Sequence, residues 1–198
     1  MPEDTIHTTN PFAMFAPQPI GVSFEGRERG EKIVLMLRAH IVTLVPQIIF
    51  VIFLLILPII IGPILSTIGV DIFGSLNVGQ RFLLGVLWYF FVFGYAFYKF
   101  IFWYFNIYML TSERIIDFDF KGVLHRETSY ANLTQIEDVS PKSIGFFSAF
   151  FHFGNVFVQT AGEKPEFEFH HVPRPNDVAK EILEQIRREE GERRGSVG

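Results

Sequence analysis

The chain of 198 residues contains no cysteine. A disulfide framework, a thiolate metal site and a thiol nucleophile are excluded, and the lack suits a reducing compartment. Charge is missing where a soluble chain would scatter it. Between residues 41 and 110 the only Asp, Glu, Lys or Arg residues are Asp71, Arg81 and Lys99. Such segregation belongs to a chain that meets two solvents. The N-terminus lacks the basic start and early apolar core of a secretory signal: Glu3 and Asp4 stand where positive charge would be. Membrane insertion then has to use the first internal apolar run. Internal repeats are absent, which leaves room for one or two small units.

Chemical motifs are equally scarce. There is no Gly-rich phosphate loop, no G-x-S-x-G and no H-E-x-x-H. His40, His125 and His152 have no partners at metal-ligand spacing, and the adjacent His170 and His171 should point to opposite faces of a strand. Glu137 and Asp138 read as a solvated face. No catalytic, cofactor-binding or metal-binding residue is assigned, and no enzyme is expected. Residues 111–198 carry 11 Lys and Arg against 15 Asp and Glu, without a basic stripe, so nucleic acid is not an expected partner.

What the chain does have is apolar and aromatic. Residues 41–62 read as a first transmembrane helix, long enough at 1.5 Å per residue for a hydrocarbon core about 30 Å thick. Pro46 falls in its first turns, and Pro58 should bend it near its far end. Residues 63–81, with Pro63, Gly69, Gly74 and Gly79, read as a short external loop. Residues 82–105 form the second span, in which 14 of 24 residues are aromatic. Lys99 lies near its end, where the ammonium can snorkel to the interface.

The flanks set the orientation. Residues 1–26, with Pro2, Pro11, Pro17 and Pro19, read as an irregular tail whose Phe12, Phe15 and Phe24 touch the membrane or dock on the folded domain. Residues 27–40 read as a basic amphipathic juxtamembrane segment carrying Arg27, Arg29, Lys32 and Arg38. These four, with Lys99, Arg114 and Lys121 after the second span, predict a multi-pass protein of the plasma (inner) membrane with both termini cytoplasmic.

From Asn106 the pattern turns to period two. Short strands are expected over 107–110, 115–120, 123–130, 133–139, 155–160 and 166–172, with Pro141 as a break and 144–153 as a short helix or packed loop. In the last strand Phe167, Phe169 and His171 should share one face and Glu166, Glu168 and His170 the other, leaving one face wet. Asn176 can cap a C-terminal helix whose Val178, Ala179, Ile182, Leu183 and Ile186 make one apolar stripe. Gly191 should stop it, leaving 191–198 disordered.

The run from Tyr108 to Ile116, YMLTSERII, with Gly122, the segment RETS at 126–129, Leu133, IEDV at 136–139, FGNV at 153–156 and VPRP at 172–175, resembles the bacterial PH-domain family, also called the membrane-flanked domain. The resemblance implies an α+β membrane protein: a two-helix transmembrane hairpin followed by a PH-like antiparallel β-barrel or sandwich over 106–190, capped by the C-terminal helix. It also implies one or two spans immediately before the domain. PH-like domains use basic residues near strand-connecting loops, which makes Arg114, Lys121, Arg126, Lys142 and Lys99 the candidate headgroup- or membrane-facing residues. The role expected is a non-enzymatic interaction or scaffold module at the cytoplasmic face. The alternative is a sensor of lipid headgroups or envelope stress. Expected partners are the lipid bilayer and this chain itself or another membrane protein, with anionic headgroups as a further option.

Overall fold

The computed structural model describes residues 10–69, 74–122, 125–161 and 166–196, with the backbone alone at 121, 122, 125, 126 and 196. Two compact units are present: Thr43–Phe102, and Met1–Val42 together with Trp103–Gly198.

The first unit is a pair of helices. A 3-10 turn, Ile41–Leu44, leads into α1, Val45–Thr67. Proline stands in the first turn of α1, where its missing donor costs little. The helix then tolerates Pro58 and Pro63. Pro58 cannot donate to the Leu54 carbonyl four residues before it. The Trp88 Nε1–H donates to that carbonyl instead, at 2.9 Å. The Tyr95 hydroxyl meets the Gln47 side chain, so Trp88 and Tyr95 both spend their polar handles on the partner helix. At the end of α1, Gly69 turns left-handed (φ +80°) and its N–H bonds back to the Ser66 carbonyl.

Helix α2, Val78–Phe105, opens on a reciprocal cap. The Gln80 N–H bonds to Asn77 Oδ1 and the Asn77 N–H to Gln80 Oε1, both at 2.9 Å. The two apolar helices, counted from Ile41 and from Val78, are 27 and 28 residues long, enough to cross a membrane. Only 6% of the most apolar window of each is buried, which is not how a soluble protein uses its core helices. Both extend into the stretch expected as loop, α1 to Thr67 and α2 from Val78. Val70 to Phe73, which include Asp71, lie outside the described residues.

The second unit holds two antiparallel sheets. One has five strands in the order β1 (Phe15–Pro17), β2 (Ile33–Arg38), β3 (Ile107–Thr111), β4 (Arg114–Gly122), β5 (His125–Asn132). The other has β6 (Ile136–Lys142), β7 (Phe153–Thr160) and β8 (Glu166–Pro173). Helix α3, Phe146–Phe151, connects β6 to β7, and α4, Pro175–Ser196, follows β8. Leu35, Leu37, Ile115, Val158, Phe167 and Phe169 meet between the sheets. From α4, Val178, Ala179 and Ile182 are buried in the same cluster, with Ile186 packed against it. The helix thus closes the core with four of the five residues of the expected stripe; Leu183 faces outward, 39% exposed.

The sheets do not join into a barrel; the 3-10 turn Leu133–Gln135 interrupts the ladder between β5 and β6. The segment 27–40 is not an amphipathic approach. Its apolar half is β2, buried on both faces: Leu35 and Leu37 enter the main core, Ile33 and Met36 a second cluster on the other side. A register shift between Ile33 and Leu35 makes that assignment possible. The second cluster is covered by the N-terminal segment, where Ala16 is buried and Phe24 meets Phe118 edge-on. Of the tail expected over 1–26, residues 10–26 therefore dock on the domain, and 1–9 lie outside the described residues.

Other expectations shift for local reasons. Pro141 lies inside β6, an edge strand, where no neighbour needs its N–H. His171 does not share the face of Phe167 and Phe169. It is left-handed (φ +52°) at a register shift opposite Gly154 and Val156, its N–H bonds to Asn155 Oδ1, and Val172 takes the buried place. Helix α4 starts at Pro175, with the Arg174 carbonyl accepting from Asp177 and Val178, so Asn176 is not its cap. It also continues past Gly191 to Ser196; one glycine costs about 1 kcal/mol against alanine, and an Arg193–Glu189 pair spans it.

Candidate functional site: a clasped junction and a two-signed groove

The helices leave the domain from inside its sheet. Strands β2 and β3 are antiparallel neighbours, and the last pair in their register is Arg38 with Ile107. The chain between them is the apolar hairpin. The two chain passages are tied together on the domain side. The Trp103 Nε1–H donates to the Ala39 carbonyl at 2.8 Å, and Arg38 Nε to the Tyr104 carbonyl at 2.9 Å. The same guanidinium donates to the carbonyls of Pro11 and Ala13 and lies 4.7 Å from the centre of the Tyr104 ring. Burial lowers the Arg38 pKa, yet four carbonyl and ring contacts hold the cation in place. Arg38 is therefore a buried clasp (4% exposed), not a free basic flank.

A second arginine ties the N-terminal segment to β4. Arg114 donates from Nε and Nη2 to the two carboxylate oxygens of Glu31, at 2.9 and 2.8 Å, and from Nη2 to the Gly26 carbonyl. The Glu31 side chain is fully buried. Burial alone would raise its pKa, but the hydrogen bonds from Arg114, the Glu28 amide and Thr111 outweigh it and hold the carboxyl below its usual range. The same pairing raises Arg114.

The other sequence-derived candidates are dispersed. Lys142 Nζ lies 4.3 Å from the Phe157 ring centre, on the edge strand β6. Lys99 Nζ sits 5.7 Å from the Tyr95 ring centre, within the helical unit. The side chains of Lys121 and Arg126 lie outside the described part; their backbones flank the β4–β5 turn. Arg27 bonds to the Glu31 carbonyl, while Arg29 and Lys32 line a groove.

That groove, of about 1210 Å³, is what the sequence did not announce. Its floor is Phe15, Ile33, Val34 and Leu35, where β1 is too short to cover all of β2. One wall carries Arg27, Arg29 and Lys32. The other is the distal face of α4, with Glu181, Glu184, Glu189 and Glu192 beside Arg188. A helix with one apolar stripe leaves a wet opposite face; that this face of α4 meets a basic loop required the fold. Among the described residues no group of three or more His, Asp and Glu is placed to hold a metal.

A family model described as bacterial PH domain matches residues 38–186. The chain belongs to the bacterial PH domain family. The match runs from the Arg38 clasp through the hairpin to the last core residue of α4, so β1 and most of β2 precede it. A solved crystal structure is also similar, that of a DUF1696 family protein with a pleckstrin-homology domain from Shewanella loihica PV-4. It is 18% identical, covers 40% of this chain and 69% of its own, and superposes with a TM-score of 0.32. No curated protein matches. In this bacterial PH domain the apolar helices do not precede the domain, as the resemblance implied; they are inserted between two of its strands.

Proposed function

We propose that this bacterial PH domain is a membrane-anchored, non-enzymatic interaction module. Its two apolar helices cross the plasma membrane, and both termini and the sheet domain lie on the cytoplasmic side. The observation that carries this reading is the hairpin's departure from two paired strands, β2 and β3, clasped by Arg38 and Trp103. A module held at the membrane by two chain passages is already confined to that surface, which reduces the entropy a partner must remove on binding.

The groove is the recognition surface in this reading. Its basic loop and acidic helix wall suit a polypeptide segment carrying both signs, from another membrane protein or a second copy. An anionic headgroup would face four glutamates on α4. Arg114, one of the five headgroup candidates by sequence, has its charge met by Glu31. Both points weigh against the lipid-sensor alternative.

A reporter fused after residue 198 is expected to be active in the cytoplasm; activity on the outer face, with the fusion intact, overturns the topology. A photo-cross-linker at Arg29 in native membranes should give a discrete protein adduct that Glu184→Lys weakens. Monomer alone would remove the interaction role.

A further inference from the structure

Helix α3 presents an apolar surface that nothing among the described residues covers. Phe146, Phe147 and Phe150 are 78%, 68% and 65% exposed, and Ile144 just before them is 83% exposed. The local structure turns them outward. Gly145 enters the helix left-handed (φ +97°) and His152 leaves it left-handed (φ +54°). Ser148, on the opposite side, is buried and its hydroxyl donates to the Phe153 carbonyl. The phenyl rings therefore stack on each other, Phe146 on Phe150 at 6.2 Å, and face away from the core.

The position of this surface says what covers it. Phe153, at the end of α3's connection, stacks on His40 at 5.4 Å and 17°. His40 is the last residue before the apolar run, and its N–H donates to the His171 carbonyl at 2.7 Å. The His152 carbonyl accepts from the Arg174 N–H. The segment is thus fixed at the end of the domain from which the chain departs for the hairpin. Its composition fits the same answer. From Lys142 to Gly154 there is no Asp or Glu, and the ends carry Lys142 and His152. Aromatic rings beside a base, with no acid, suit the boundary between headgroups and acyl chains.

We propose that α3 is a membrane wedge: Phe146, Phe147 and Phe150 enter the interfacial layer of the bilayer that holds the hairpin. This rests on the reading that the hairpin spans a membrane. A second copy of the chain is the competing occupant.

The absence of cysteine makes the test clean. Single variants Phe147→Cys, Phe150→Cys, Phe90→Cys and Lys180→Cys carry an environment-sensitive fluorophore in the full chain, reconstituted in vesicles of zwitterionic and anionic phospholipid. The quenchers are spin labels on the lipid acyl chain, one just below the headgroup for 147 and 150 and one near the chain end for 90, with 180 tested against both. Phe90 is exposed on α2 and reports insertion of the hairpin; Lys180 is exposed on α4 and reports water. The expected result is loss of most emission at 147 and 150, and none at 180. Quenching at 90 but not at 147 or 150 overturns the wedge and leaves the anchored reading standing. Absence of quenching at all four positions overturns both. A blue shift at 147 that vanishes on dilution of protein in lipid, without quenching, assigns the surface to a second copy and overturns the wedge.

Discussion

At the residue scale, the two arginines that drew attention as basic flanks are structural. Arg114 was legible as a cation near the start of a strand, but its partner Glu31 is 83 positions away, and no local pattern predicts that pairing. Glu31→Leu leaves the Arg114 guanidinium without its carboxylate. A loss of about 3 kcal/mol is expected, the low end for an orphaned buried charge because Arg114 keeps some solvent access. Chemical unfolding of the full chain in detergent measures it. The sign with pH follows from the lowered Glu31 pKa. Its contribution is complete above about 4.5, the ordinary carboxyl value, and is lost as pH falls through the lower folded value. The variant should lack that acid limb. Gly154 is a second residue-scale case. A Cβ there would lie 2.6 Å from the Lys142 carbonyl and from Ser143 Oγ, and 3.1 Å from Pro175. Two of these are backbone or ring atoms with nowhere to go, so Gly154→Ala should cost about 1–3 kcal/mol in the same assay.

At the element scale, hydrophobic period and turn chemistry identified both apolar helices, most strands and the core stripe of α4. Two of the misses share one cause. Propensity assigns breaks to single residues such as Pro141 and Gly191, whereas an edge position or a continuing charged face absorbs them. The pairing of α1 with α2 gives a sharp test. Trp88 supplies the donor that Pro58 withholds from Leu54. Trp88→Phe should weaken the helix pair by about 1 kcal/mol, the scale of interhelical hydrogen bonds in lipid. In a Pro58→Ala background the Leu54 carbonyl regains a backbone donor, and the same change should cost clearly less. Equal losses in the two backgrounds, by unfolding of each variant in detergent, would detach Trp88 from the proline.

At the scale of the whole molecule, the domain is not a C-terminal half hung from a hairpin. Residues 15–38 supply two strands of its larger sheet and the cover for one face. A fragment of residues 106–190 lacks β2, whose Leu35 and Leu37 are core, and should not unfold cooperatively. A chain in which a short Gly-Ser linker replaces residues 43–102 keeps every strand. Its ends start close together, since Trp103 Nε1 bonds to the Ala39 carbonyl. That chain should give a cooperative thermal transition. Cooperative unfolding of the 106–190 fragment would contradict the shared sheet.

The two long apolar helices, most strands after Asn106, most of the stripe that α4 buries and the family were legible without the fold, because they depend on the order of apolar and polar residues along short stretches. Only the tertiary structure decided that β2 is part of the sheet, that Arg38 and Arg114 are spent inside the domain, and that α4's charged face meets a basic loop across a groove. Those facts depend on contacts between residues dozens of positions apart, whose local signals—a short apolar run, a lone arginine, a wet helix face—are the same whether or not a partner stands opposite.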